Sequence, residues 1–306
     1  MLFRSATAAA AAYLEPDVSE RIFSGRRPII AGQGAPNGRA VVEGNGFRIT
    51  GRWNYGSGIL HATHVHACAI VMDGESPRKL GTGEPEVRMF IIPPEKVKLY
   101  RDWEVIGLRA TASIDYSVED VFIPAELSYL AKANSSQVGG GLYRVGITGF
   151  ALIGHTGFAL GVARRALDEV ATIAKTSPTF AASDKFLQDY ATAEASYRAA
   201  KAFALDEWRR AARTIADEPL DTRAVTLLRM ALLHATNAAV DICTFAFRAV
   251  AGKSLKRGPI ERCLRDILAG AQHLHVSPMI HTACGQEISG LAPDARWAGF
   301  ALITKR

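Results

Sequence analysis

The chain changes character at Asp115-Tyr116-Ser117-Val118-Glu119-Asp120-Val121-Phe122-Ile123-Pro124. Apolar and polar residues alternate from Asp115 to Ile123, the period-two pattern of a half-buried strand, and Pro124 ends it. Upstream, from about Gly25, the sequence is short-ranged and punctuated by glycine and proline. The turn Glu43-Gly44-Asn45-Gly46 precedes the alternating Phe47-Arg48-Ile49-Thr50, a hairpin signature. His64 to Met72 and Val87 to Ile92 read as further strands, with a polar loop from Asp73 to Pro85 between them.

Beyond Ser128 the period lengthens to that of helices. Four patterns follow: Gly140 to Lys175, Ser183 to Ala216, Asp221 to Ala251, and Pro259 to Ile288. Ser183 and Asp221 suit N-caps, Gly252 and Gly290 suit stops, and Pro259 suits a first turn. Pro278 inside the fourth pattern predicts a kink. The expected fold is therefore α+β. A helical stub over residues 1–14 precedes a small β-barrel or sandwich domain over 15–127, and a C-terminal four-helix bundle fills 128–306.

Composition narrows the function. Of 306 residues, 48% are hydrophobic and 22% charged, which excludes a disordered chain. The net charge of +6 is scattered among acids, without a basic arm, so a nucleic-acid role is not expected. Cys68, Cys243, Cys263 and Cys284 form no C-x-x-C pair, which suggests buried thiols in a reducing cytoplasm. Val145 to Ala163 is uncharged and long enough to span a bilayer. Its many glycines and His155 read better as a buried bundle helix, so no membrane is expected. Ala6 to Ala12 lacks a convincing signal-cleavage site downstream. His61, His64 and His66 raise a metal site, since His-x-His on a strand shares one face, but further ligands are wanting and no metal is expected. Walker, nucleophile-elbow and dinucleotide motifs are absent from the sequence.

Three stretches carry the chemistry. They are Gly51-Arg52-Trp53-Asn54-Tyr55-Gly56-Ser57-Gly58; Trp103 to Ser113 (WEVIGLRATAS); and Glu261-Arg262-Cys263-Leu264-Arg265-Asp266 with Gln272-His273. In this order, they resemble the acyl-CoA dehydrogenase superfamily from about Leu14 to the C-terminus. That resemblance implies an acyl-CoA dehydrogenase-like fold whose usual N-terminal helical domain is represented here by little more than the stub. A dehydrogenase needs a carboxylate base. The stretch Ile267 to His275 offers histidine instead, leaving Glu169 or Glu194 as carboxylates from elsewhere.

Histidine there resembles the two-component flavin-dependent monooxygenase branch, which includes aromatic hydroxylases and dibenzothiophene monooxygenases. The resemblance implies reduced FMN or FAD delivered by a separate flavin reductase, oxygen activation through a C4a-(hydro)peroxide, a small aromatic substrate and a homotetramer. It assigns Ser57 to the flavin N5 and His273, or His275 two residues on, to the peroxide or to a phenolic proton. Further flavin contacts would come from Ala31, Gly32 and Gly38 in a close-passing loop, from Trp53 and Asn54, and from Gly252-Lys253-Ser254. Lys175 stands in for the arginine the family carries between its first two long helices. The bland readings are a turn serine for Ser57 and a core histidine for His273. Arg265-Asp266 reads as a structural ion pair, and Trp103 and Arg109 as packing and anchoring. Two other readings stay open: an acyl-CoA dehydrogenase proper, and an N-terminally truncated inactive member.

Overall fold

The computed structural model describes residues 7–24, 28–81, 83–131 and 136–304. Their contacts divide the chain into two compact units. One runs to Glu104 and resumes over Arg109–Ala151; the other comprises Val105–Leu108 and everything from Leu152 onward.

The first unit is built on one eight-stranded sheet. Its strands are β1 (Ile30–Glu43), β2 (Gly46–Gly56), β3 (His64–Asp73), β4 (Ser76–Pro77), β5 (Val87–Ile92), β6 (Lys98–Tyr100), β7 (Ile114–Pro124) and β8 (Ser128–Leu130). The spatial order is β6-β7-β2-β1-β3-β5-β8, with β4 on β3, and β1 runs parallel to β3. Phe47, Ile49 and Trp53 of β2 meet Tyr116 and Ile123 of β7 and Phe90 of β5 in a single core, which one sheet achieves by curling over itself. The opposite face of the sheet is covered too. Tyr13, Leu14 and helix α1 (Pro16–Phe23) pack there with Cys68, Met89, Ile91 and Tyr129, joined by Ile147 and Phe150. Helix α1 lies beyond the predicted stub; Pro16 in its first turn, followed by Asp17, is its start signal. Of the stub itself, residues 1–6 lie outside the described residues, and Ala9–Ala12 is a 3-10 turn.

The segment expected to be a flavin-passing loop, Ala31 to Gly38, is instead part of strand β1. Its small residues serve the strand pairing. A Cβ on Gly32, at φ 152°, would stand 1.9 Å from the carbonyl oxygen of His66 on the parallel neighbour.

The second unit holds α2 (Gly146–Lys175, its first residues belonging to the first unit), α3 (Pro178–Ala181), α4 (Asp184–Thr214), α5 (Thr222–Ala249), α6 (Pro259–Gly270) and α7 (Pro278–Ile288). The caps are as the sequence suggests: Ser183 accepts from the N–H of Phe186 and Asp221 from that of Ala224. Pro278 does not kink a fourth helix; it opens a new one. Ser277 before it is extended (ψ 157°), the conformation a following proline imposes, and a 3-10 turn at Leu274–Val276 separates α6 from α7. A terminal hairpin, β9 (Ala295–Ala298) with β10 (Ala301–Thr304), was not expected; Trp297 anchors it by donating Nε1–H to Thr226 Oγ1 at 2.9 Å. Two helical stretches, Gly141–Lys175 and α5, are long and apolar enough to cross a membrane by composition. Over half of the apolar stretch of α5 is buried, but less than a quarter of that of Gly141–Lys175.

Candidate functional site

Ser57 sits where β2 ends. Tyr55 is bent to φ 62° and Gly58 to φ 75°, and Gly58 donates its N–H to the carbonyl of Thr111 at 2.8 Å. The turn buries Ser57 and holds its hydroxyl 2.6 Å from Ser113 Oγ, which in turn lies 2.7 Å from Thr111 Oγ1. Ala112, between those two, takes φ 43°. Left-handed backbone at two non-glycine residues costs roughly 1–3 kcal/mol each, so the turn that aims this hydroxyl chain is strained. A plain turn serine would not require a buried partner; Ser57 has one. Ser113 was within a recognised stretch, but nothing in the sequence said its hydroxyl would meet that of Ser57.

In the second unit the last-helix histidine stands in a stack. His273, just past α6, lies 4.0 Å between ring centroids from His155 of α2 and 5.2 Å from His275, which rests 4.7 Å from Phe300 of the terminal hairpin. Nδ1 of His273 accepts the backbone N–H of His275 at 3.2 Å. An Nδ1 that accepts leaves the proton of a neutral imidazole on Nε2, so His273 presents Nε2–H as a donor. Burial pushes its pKa down to about 4. Burial, with His273 beside it, pushes His155 down to about 3, and His275 is driven well below the ordinary histidine value by burial and then by its two neighbours and Arg229. The three imidazoles are therefore neutral at pH 7. Both sequence candidates, His273 and His275, are in the stack. His155 was missed as a site residue because it stood inside a glycine-rich apolar run.

A basic cleft opens at the start of α6. Lys253, Lys256, Arg257 and Ser254 line it with Gly258, Pro259 and the carboxylates Glu169 and Glu261. The Glu261 carboxylate is already engaged, accepting from Arg265 Nε at 2.6 Å and Nη2 at 3.1 Å. Three cations at a helix N-terminus fit a phosphate, and the buried hydroxyl chain fits a hydrogen-bonding partner such as a ring nitrogen. By these donor sets the chain can accept a flavin phosphate. Lys253 and Ser254 line the cleft as expected, while Gly252 and Lys175 do not. Lys175 is exposed at the end of α2, and Lys256 and Arg257 supply the charge instead.

Several other expectations are corrected. Trp53 is fully buried, stacked on Tyr116 at 5.4 Å with Nε1–H donated to the carbonyl of Cys68 at 2.9 Å, so it faces the core rather than a ligand. Gly38 seats that indole, since a Cβ there would lie 2.5 Å from the ring, and Ala31 is core as well. Asn54 is exposed and donates to Asp115 Oδ2 at 2.6 Å. Arg265 and Asp266 do not pair with each other. Arg265 Nη1 donates to the carbonyl of Ile106 at 2.7 Å and Asp266 accepts the N–H of Leu108 at 2.6 Å, so the two pin the Val105–Leu108 segment. Among the histidines of β3, His66 is buried with Nε2 2.8 Å from Tyr129 Oη, and no group of three metal-ligating side chains occurs among the described residues.

Neither alternative carboxylate is free. Glu169 pairs with Arg165 at 2.5 Å, and Glu194 with Arg164 at 2.7 Å and Arg198 at 2.8 Å. The hydrogen bond from Arg164 also lowers the Glu194 pKa, which makes it a weaker base.

Comparison with known proteins agrees with this geometry. The family described as "Acyl-CoA dehydrogenase, C-terminal domain" matches residues 153–278. The indole-3-acetate monooxygenase of Pseudomonas putida is 28% identical over 274 residues, covering 87% of this chain and 68% of that protein. The oxygenase subunit HsaA of a flavin-dependent monooxygenase from Mycobacterium tuberculosis is 33% identical over 108 residues, 35% of this chain and 26% of its own length. Among solved structures, XiaF from Streptomyces in complex with FADH2 and glycerol superposes with a TM-score of 0.81 at 21% identity, over 95% of this chain and 76% of its own. Residues 153–278 thus match the acyl-CoA dehydrogenase C-terminal domain, and the chain as a whole is similar to flavin-dependent monooxygenases.

Proposed function

We propose that the chain is the oxygenase component of a two-component system that uses reduced FMN or FAD and dioxygen to hydroxylate a small aromatic substrate. The observation that carries this reading is the neutral His273, its Nδ1 occupied and its Nε2–H free to donate, where a dehydrogenase would present a carboxylate. When bound, reduced flavin supplies the electrons that activate oxygen. In the second unit His273 would offer its Nε2–H as a hydrogen-bond donor to oxygen; as a donor in this tautomer it is not the base for a phenolic proton. In the first unit Ser57, its hydroxyl held by Ser113, would offer a hydrogen bond to the flavin ring. Lys253, Lys256 and Arg257 take the phosphate.

Reduced flavin arrives from a reductase by diffusion, helped by the +6 net charge. The four buried free thiols suit a cytoplasmic setting. The reading includes the homotetramer that the resemblance implies, and two features support a site shared between copies. Lys253 precedes α6 and His273 follows it, and the 12-residue helix between them is about 18 Å long. That separation supports a flavin whose phosphate is held by one copy's Lys253 and whose oxygen is served by another copy's His273. The apolar stretch of α2 is buried on one side by Ala159, Ala163, Leu167 and Val170 but exposed over most of its length, which supplies a surface for that packing.

The test is anaerobic loading with reduced FMN or FAD, followed by oxygen in the presence of indole-3-acetate or resorcinol. Oxygenated product with less than stoichiometric hydrogen peroxide is expected. Full conversion of oxygen to hydrogen peroxide with every compound, together with bleaching of bound oxidised flavin by an acyl-CoA thioester, would overturn the reading.

A further inference from the structure

The terminal hairpin is laced to α5 by three hydrogen bonds in register. Thr222 Oγ1 donates to the carbonyl of Ala295 at 3.0 Å, Trp297 Nε1–H to Thr226 Oγ1 at 2.9 Å, and Arg229 Nη2 to the carbonyl of Gly299 at 2.6 Å. Thr222, Thr226 and Arg229 are spaced i, i+4, i+7 on one face of the helix, and they meet alternate residues of β9 and its turn. Seven helical residues advance about 10 Å and four extended ones about 13 Å. The rung where the two advances diverge carries the longest side chain.

Arg229 is fully buried there. Its guanidinium also lies over the Trp297 ring at 4.0 Å, so one side chain grips the hairpin twice. Nε and Nη1 are buried with no hydrogen-bond partner, and burial pulls the pKa down to about 10, which leaves the group charged at pH 7. A buried cation without a counter-charge is costly. What the position gains is a desolvated cation–π contact and a charge-assisted bond, both to the hairpin.

The clamped end of the hairpin is the end that meets the histidines. Gly299 turns the chain at φ 58°, and the next residue, Phe300, lies 4.7 Å from the His275 ring. Trp297, Phe300 and Val276 pack on one cluster with Leu233, Ile280 and Cys284. The hairpin thus bears on the Leu274–Val276 turn, whose His275 donates its backbone N–H to Nδ1 of His273.

We infer that Arg229 is a positioning residue for His273: by clamping the Gly299 end of the hairpin to α5 it keeps Phe300 on His275, and so keeps the His275 N–H on Nδ1 of His273. This rests on the oxygenase reading above and deepens it, since that reading gives the Nε2–H of His273 its use. Arg229 acts through the hairpin and not on a ligand.

The test reads the tautomer of His273 by long-range proton–nitrogen NMR of the full chain, labelled with 15N-histidine and free of flavin. The native chain should show His273 as the Nε2–H form alone. Arg229→Gln should show a mixture of the two neutral tautomers, and its yield of hydroxylated product per flavin oxidised should fall about threefold or more with flavin affinity unchanged. Arg229→Lys, which keeps a cation and a donor, should recover most of that yield. Thr222→Val breaks the rung at the open end of the hairpin; it should lower the thermal midpoint and leave the tautomer alone. If Arg229→Gln does not fold, Phe300→Ala decides: it keeps the clamp, takes the ring off His275, and should give the same mixture. A lone Nε2–H form in Arg229→Gln, or in Phe300→Ala, would overturn the inference. So would a mixture in Thr222→Val as large as in Arg229→Gln, because loosening the hairpin anywhere would then suffice. Tautomers that shift as expected in a native chain that hydroxylates nothing would refute the oxygenase reading and leave the positioning role standing. Hydroxylation by the native chain with tautomers that do not shift would do the reverse.

Discussion

His275 donates its backbone N–H to Nδ1 of His273 across 3.2 Å, and this one bond determines what the imidazole can do. With Nδ1 accepting, the ring's proton sits on Nε2 and the side chain is a donor toward whatever lies beyond it. Removing that donor should uncouple oxygen reduction from hydroxylation. In His273→Ala the yield of hydroxylated product per flavin oxidised should fall at least tenfold while hydrogen peroxide rises to match it. Asn, which can donate through its amide, should restore part of the yield. Because burial holds the native imidazole's pKa near 4, coupling should show no break near pH 6.5. A histidine-like break there, absent in His273→Asn, would show that the ring titrates and would contradict this assignment.

The same burial has a consequence for stability. In the folded chain His66 and His155 are pushed down to about 3 and His273 to about 4, while the unfolded chain takes up protons near 6.5. Between those values the unfolded state binds more protons, so stability rises with pH and is lost as pH falls below about 6.5. For His273 alone the loss at pH 5 is about 2 kcal/mol. Urea midpoints measured from pH 7.5 to pH 5 should fall steeply, and His66→Gln should flatten the slope. A midpoint independent of pH across that range would refute the burial of these rings.

On the proposed reading, Ser113 acts through Ser57, whose Oγ lies 2.6 Å from its own. Ser113→Ala should cost about 1 kcal/mol of stability, the usual worth of one hydrogen bond. It should also shift the absorption spectrum of bound oxidised flavin in the same direction as Ser57→Ala, by a smaller amount. If Ser113→Ala destabilises the fold yet leaves the flavin spectrum as in the native chain, the pair is structural only.

Much of this architecture was legible in the sequence, and the failures have physical causes. Alternation in Asp115 to Ile123 and the helical spacing after Ser128 report which face is buried, and both β7 and the long helices appear where those periods place them. Ala31 to Gly38 misled because small residues mark close approach without naming what approaches; here a neighbouring strand and an indole do, not a ligand. Trp53 misled for a related reason. Its place between Arg52 and Asn54 fixes the side of the strand it points to, but whether that side faces core or cofactor depends on the curl of the sheet. His273 was found by resemblance, yet its tautomer depends on a backbone N–H two residues away, which no pattern encodes.

Gly107 is the clearest single-residue lever on the Val105–Leu108 segment. A Cβ there would stand 2.0 Å from the carbonyl oxygen of Arg265 and 2.9 Å from the backbone nitrogen of Asp266, so neither obstacle is a side chain that can swing away. Gly107→Ala should therefore break the bonds from Arg265 to Ile106 and from Leu108 to Asp266, at a cost of about 2 kcal/mol or more. Thermal unfolding should show a lower midpoint than for Gly252→Ala, where an added Cβ meets nothing within 4 Å. Equal midpoints for the two variants would mean the segment is not held as described.

The basic cleft and the histidine stack can be assigned to different copies by mixing. Lys253→Glu should weaken binding of reduced FMN at least tenfold, in a salt-dependent way, while riboflavin, which lacks the phosphate, binds as before. His273→Ala should bind flavin normally and waste oxygen. Neither variant alone should hydroxylate efficiently. If each flavin draws its phosphate cation from one chain and its imidazole from another, co-expressing the two variants in equal amounts creates sites in which both contributions are native. Random assembly makes about one site in four of that kind, so hydroxylation should return to about a quarter of the native level. If Lys253 and His273 served the same flavin from one chain, every mixed site would carry one defect or the other and no activity would return. The 12 residues of α6 between them favour the first outcome, because a rigid helix about 18 Å long holds the two side chains at opposite ends.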